Sequence, residues 1–86
     1  MKYPCPCCGF VTLEEEPPGT FLVCPVCYWE DDNVQFADPS YRGGANEESL
    51  REAQQNFRAF GASSRRSVTS VRSPLPEEWP SVRGRA

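Results

Sequence analysis

Two cysteine pairs, Cys5/Cys8 and Cys24/Cys27, stand as C-x2-C-x15-C-x2-C at the start of an 86-residue chain. No other feature constrains the fold as much. Two intervening residues let both sulfurs of a pair face one ion at about 2.3 Å, and two such pairs complete a tetrahedron. A chain this short draws only about 3–5 kcal/mol from an apolar core and needs a staple. Structural zinc supplies one, because its binding free energy, roughly 10–16 kcal/mol in small zinc peptides, is coupled to folding. Cys5, Cys8, Cys24 and Cys27 are therefore the expected ligands of Zn2+. Iron is the alternative, since tetrahedral sulfur sites accept either metal.

The chain has five cysteines, an odd number that fits a complete disulfide framework poorly. No apolar run follows Met1-Lys2, and no stretch has the length of a membrane span, so neither a secretory leader nor a membrane segment is expected. A reducing cytoplasm, where thiols stay available for metal, is the expected compartment. Cys7 is left over by the four-ligand count. Its simplest role is a small, partly buried residue beside the metal. The sharper alternative is a thiol whose oxidation to a disulfide with Cys5 or Cys8 would release the ion.

Glu14-Glu15-Glu16-Pro17-Pro18-Gly19 reads as a hairpin loop between short strands at Phe10–Leu13 and Thr20–Val23. Tyr28-Trp29 are expected to pack over the metal site and keep water off the sulfurs. Val34 and Phe36 alternate as in an edge strand. One helix is expected over about residues 47–60, with Asn46 as N-cap, Gly61 as its stop and an apolar stripe of Leu50, Ala53, Phe57 and Phe60. Gly43-Gly44 lacks a following Lys-Ser/Thr and so is no phosphate loop; it marks a close backbone approach before the helix. The expected architecture is a small α+β zinc ribbon with rubredoxin-like knuckles, a β-hairpin and one packing helix over residues 1–62. Residues 63–86, rich in serine, arginine and proline, are expected to be a mostly flexible tail, whose apolar segment at 75–82 is expected to fold back so that Trp79 covers leftover core, with docking to a partner as the alternative.

Charge divides at the same place. Residues 1–60 carry a net −6 and residues 61–86 a net +3, and a zinc tetrathiolate adds a further −2 to the first part. That disfavours a phosphate-binding surface on the folded part. The chain has no histidine. A Ser-His-Asp or Cys-His arrangement is impossible, and four protein ligands leave no open metal position, so no enzymatic activity is expected. The acids Glu14–Glu16 and Glu30–Asp32 read as solvated loop and turn.

Two resemblances follow from these residues. Tyr3 before a Cys-x2-Cys-Gly knuckle, an aromatic after it and a later Cys-Pro-x-Cys are similar to rubredoxins, although Tyr28 stands where those have glycine and the gap between pairs is shorter. The ordered series Tyr3-Pro4-Cys5-Pro6-Cys7-Cys8-Gly9, Cys24-Pro25-Val26-Cys27-Tyr28-Trp29-Glu30-Asp31-Asp32, Gly43-Gly44-Ala45-Asn46 and Phe60-Gly61-Ala62 resembles the bacterial cysteine-rich CPCC family over roughly residues 3–63. That resemblance implies a small metal-binding domain and a bacterial cytoplasmic setting, and it supplies no substrate. The expected function is a metal-stabilised protein-interaction module with an unknown protein partner. The alternatives are a nucleic-acid-binding ribbon aided by Arg65, Arg66 and Arg72, and a rubredoxin-like electron carrier or thiol switch.

Overall fold

A computed structural model describes residues 2–80. The element order is β1 (Tyr3–Pro4), β2 (Val11–Leu13), α1 (Asn33–Ala37) and α2 (Leu50–Phe60), followed by single 3-10 turns at Arg65–Ser67 and Pro76–Glu78. It is a small α+β domain whose two-stranded antiparallel sheet and two helices enclose a four-cysteine cluster.

The pairing differs from the expected hairpin. Phe10–Leu13 does not pair with Thr20–Val23 across the loop. Instead β2 pairs with β1, with Tyr3 opposite Leu13 and Pro4 opposite Val11. Phe21–Cys24 pairs in the same way with Trp29–Asp31, through Asp31 N–H to Leu22 O at 3.0 Å and Cys24 N–H to Trp29 O at 2.9 Å. Each knuckle is itself a tight reversal, so the segments on either side of it run antiparallel over a short closure. Short loops cost less entropy to close than long ones, and the local pairing wins.

The edge strand expected at Val34 and Phe36 is the short helix α1. Asp32 caps it, accepting from Val34 N–H at 2.7 Å and Gln35 N–H at 3.2 Å. The polar Gln35 is fully buried while Val34 and Phe36 face solvent, so the alternation carried no burial signal. Gln35 Nε2 faces the carbonyls of Tyr41, Asn46 and Glu48 at 2.9–3.1 Å, and its Oε1 accepts from Asn46. Buried amides need such partners to offset lost hydration. Gly44 passes so close that a Cβ there would lie 2.7 Å from Asp32 Oδ2 and 2.8 Å from Gln35 Cδ, which is the close approach the sequence marks.

Asn46 does not cap α2. Its amide brackets Glu30, accepting from the N–H at 2.9 Å and donating to the carbonyl at 2.8 Å. The cap is Ser49, in a reciprocal box with Glu52: Glu52 N–H to Ser49 Oγ at 3.1 Å and Ser49 N–H to Glu52 Oε1 at 2.9 Å. Gly61 ends the helix in the left-handed region (φ 85) as expected. Leu50 and Ala53 are buried against Cys5, Leu13, Cys24, Val26, Cys27 and Trp29, with Phe57 packed at the margin. Trp29 covers the cluster, whereas Tyr28, expected beside it, is about half exposed.

The described part of the tail is folded back onto the domain, as expected for the segment around Trp79 and beyond what was expected for residues 63–74. Ala62, Ser63, Ser64, Ser67 and Glu78 are buried. Ser63 N–H donates to Cys27 O at 2.7 Å, Asn56 Nδ2 to Ser63 O at 2.9 Å, and the Ser64 and Ser67 hydroxyls meet at 3.0 Å. Small serines order by hydrogen bonding to the body, which no apolar period reveals. Residues 81–86, the end of that tail and of the 75–82 segment, lie outside the described residues. Among the described residues no helix is long and apolar enough to cross a membrane.

Candidate metal centre

Both knuckles follow one backbone pattern. In the first, Gly9 N–H donates to Cys5 O at 2.8 Å and Cys5 N–H to Phe10 O at 2.9 Å. In the second, Tyr28 N–H donates to Cys24 O at 2.7 Å and Cys24 N–H to Trp29 O at 2.9 Å. Gly9 (φ 82) and Tyr28 (φ 73) hold the same left-handed position, so each turn folds its two cysteines inward.

The result brings together Cys5, Cys8, Cys24 and Cys27, the four residues read from the spacing, with their sulfurs all within 4.8 Å of one another. Cys5 and Cys27 sulfurs lie 3.6 Å apart, and Cys8 and Cys24 sulfurs 3.7 Å apart. A disulfide would need about 2.05 Å. A tetrahedron with metal–sulfur bonds of about 2.3 Å has edges of about 3.8 Å. The spacing and the all-sulfur donor set therefore suit a four-coordinate ion, and the cluster is able to hold one. Three of the four residues are buried and Cys8 is partly exposed.

Surrounding donors bias the sulfurs. Cys7 N–H points at Cys5 Sγ and Trp29 N–H at Cys27 Sγ, each at 3.4 Å. Thr12 Oγ1 lies 3.0 Å from Cys24 Sγ. The Cys24 thiol is held far below the ordinary range, first by hydrogen bonding from Cys27, then from Cys5 and Cys8, with burial opposing and Thr12 adding to the effect. Cys8 and Cys27 are pushed up, each chiefly by its contact with Cys24. The Thr12 hydroxyl and the Cys24 sulfur lie within hydrogen-bonding reach, and either can donate. Crowded thiolates repel one another, and a cation relieves that repulsion.

Thr12 is the neighbour that the sequence did not single out. It carries no motif, and only the packing of β2 against the second knuckle brings it to sulfur. Cys7 is buried and stands outside the four. The expected acids Glu14–Glu16 are exposed. Asp31 is buried, its Oδ2 accepting from Thr20 N–H at 2.9 Å and Thr20 Oγ1 at 2.8 Å.

Two of the arginines read as phosphate contacts are engaged elsewhere. Arg66 pairs with Glu47 and Glu48 at 3.1 and 3.0 Å, and Arg72 makes a two-pronged pair with Glu78 at 2.7 and 2.8 Å. Glu78 is 1% exposed, and Arg72, more than the opposing burial, lowers its pKa to about 2.

A family model described as Cysteine-rich CPCC matches residues 3–78. The match runs past the limit near residue 63 expected from the sequence and takes in the folded-back segment with Arg72 and Glu78. No curated protein matches the chain.

Proposed function

The chain belongs to the cysteine-rich CPCC family, and from that premise we propose that it is a zinc-stabilised module that binds another protein and catalyses no reaction itself. The cluster supports the metal half of this reading. Four mutually adjacent sulfurs from two knuckles supply a full tetrahedral set and leave no open position for substrate. When bound, the ion supplies the cross-link that the small core lacks. Zinc is preferred to iron because the chain departs from the rubredoxin pattern at Tyr28 and in the gap between pairs. Five cysteines, none of them in a disulfide, support a reducing compartment such as the cytoplasm.

The interaction half rests on one observation. Phe21 and Tyr28 both hold left-handed backbone, φ 58 and 73, and yet are 52% and 46% exposed. Bulky residues are strained there; hydrogen bonds hold the backbone at Tyr28, but the exposed rings gain little packing in return. Val23, between them in the sequence, is exposed as well. Apolar groups held at the surface at a cost mark recognition sites. The nucleic-acid alternative has less support, because Arg66 and Arg72 are neutralised by the domain's own acids. Burial of Cys7 likewise leaves the thiol switch poorly accessible.

The test has two parts. Purified protein is expected to hold one zinc per chain and to lose its circular-dichroism signature on chelation; spectra that survive complete metal removal would sink the structural role. A photo-crosslinking residue at position 21 or 28 is expected to give protein adducts in cells that the same residue at exposed Gln55 does not. Equal yields at the three positions would remove the interaction face.

A further inference from the structure

Val71–Pro80 touches both halves of the metal centre. At one end, Arg72 N–H donates to the carbonyl of Pro25, inside the second knuckle, at 3.1 Å. At the other, the Trp79 ring stands edge-on to Phe10, the residue after the first knuckle's turn, with centroids 4.8 Å apart. Between these ends Pro76–Glu78 packs against β2, while Val71–Pro74 stands over a groove of about 250 Å³ shared with Val26, Phe57 and Gly61.

What joins the two ends is internal to the segment. Arg72 and Glu78 form the two-pronged pair at 2.7 and 2.8 Å, and Leu75 N–H donates to the same carboxylate at 2.9 Å. The carboxylate is buried in the closed pair, and a buried charge left unpaired is costly.

We propose that Val71–Pro80 is a latch spanning the two knuckles, closed by the Arg72–Glu78 pair, that slows the exchange of metal from the four-cysteine centre. The inference rests on the reading that the cluster holds an ion. Cys5, Cys8, Cys24 and Cys27 would hold the ion, and its release to a competing ligand would require the sulfurs of the two knuckles to separate. The partly exposed Cys8 is the point of attack, and it lies in the first knuckle, next to the Phe10 that Trp79 covers. A segment fastened to both knuckles restrains that parting.

The experiment follows zinc passing from the loaded full-length chain to excess 4-(2-pyridylazo)resorcinol. Arg72→Ala and Trp79→Ala are expected to keep one zinc per chain and to release it on the order of tenfold faster than wild type. Trp79 is 59% exposed, so its loss tests the latch even if Arg72→Ala fails to fold. Ser49→Ala weakens the cap of α2 without touching the segment and is expected to leave the release rate near that of wild type. Unchanged rates in both latch variants, or an equal acceleration by Ser49→Ala, overturn the latch alone. A wild-type chain that takes up no metal overturns the metal reading, and the latch with it.

Discussion

The two knuckles are alike in backbone and unlike in surroundings. Nineteen residues apart, Cys5 and Cys24, Cys8 and Cys27, Gly9 and Tyr28, Phe10 and Trp29 occupy matching places and make matching hydrogen bonds. The first knuckle has glycine at its left-handed position, a partly exposed Cys8, and Phe10 at the margin under Trp79. The second has a strained Tyr28, a fully buried Cys27, a buried Trp29, and an exit strand clamped at Glu30 by Asn46. The same turn thus serves two ends: the second knuckle is embedded in the core, and the first lies nearer solvent. Strain is tolerated where the surroundings over-determine the conformation.

The largest test of this asymmetry is ligand loss. Cys27→Ser is expected to abolish cooperative folding, because it forfeits most of a coupled metal free energy of roughly 10 kcal/mol or more. Cys8→Ser should leave a weaker, measurable metal complex, and Cys7→Ser should leave stoichiometry unchanged. Metal analysis with thermal melts decides; equal collapse of the Cys8 and Cys27 variants would erase the distinction between the halves.

Next in size is Gly44→Ala. Its Cβ meets Asp32 and Gln35 inside 3.0 Å, an overpacking that costs about 1–3 kcal/mol. The damage should fall on the second hairpin, through Gln35, Asn46 and Glu30. Hydrogen exchange is expected to speed up at Asp31 N–H before it does at Cys5 N–H, and the reverse order would show that the network does not brace the second half.

Exchanging the left-handed residues gives a smaller, two-signed effect. Gly9→Ala meets no atom within 4 Å, so its cost is the backbone penalty of about 1–2 kcal/mol. Tyr28→Gly relieves that penalty but frees the unfolded chain, for a net change expected within about 1 kcal/mol. Denaturant melts of both proteins check it. A large loss at Tyr28→Gly would mean that the ring packs into the fold rather than serving the surface.

Smallest is the pH response of the pair that links the halves. Glu78 is lowered from an ordinary 4.5 to about 2. A carboxylate lowered in the folded state stabilises fully above its unfolded pKa and loses that contribution as pH falls through the folded one. The stability gap between wild type and Glu78→Gln should stay flat from about pH 5 to 8 and shrink only as pH falls from about 4.5 toward 2. A gap that changes near neutrality would contradict an ionised pair.

Much of the centre was legible because its information is local. Ligand spacing, a left-handed glycine at Gly9 and the end of α2 at Gly61 depend on a few consecutive residues. The failures have one character. Val34 and Phe36 alternate like a strand, but the helix there follows from Asp32 capping and a buried Gln35, whose partners lie as far on as Glu48. Asn46 looks like a cap and is instead a brace for Glu30, sixteen residues away. The serines after Gly61 look like a solvated tail, yet Ser63 is bonded to Cys27.

The sequence by itself determined which four sulfurs could share an ion and that histidine chemistry is excluded, because these follow from residue identity and short spacing. Tertiary structure alone decided that each knuckle pairs with its own flanks, that Thr12 reaches Cys24, that Gly44 has no room for a side chain, and that Arg72 and Glu78 close a segment across both halves. Those outcomes depend on which groups lose water together, and burial is a property of the assembled chain.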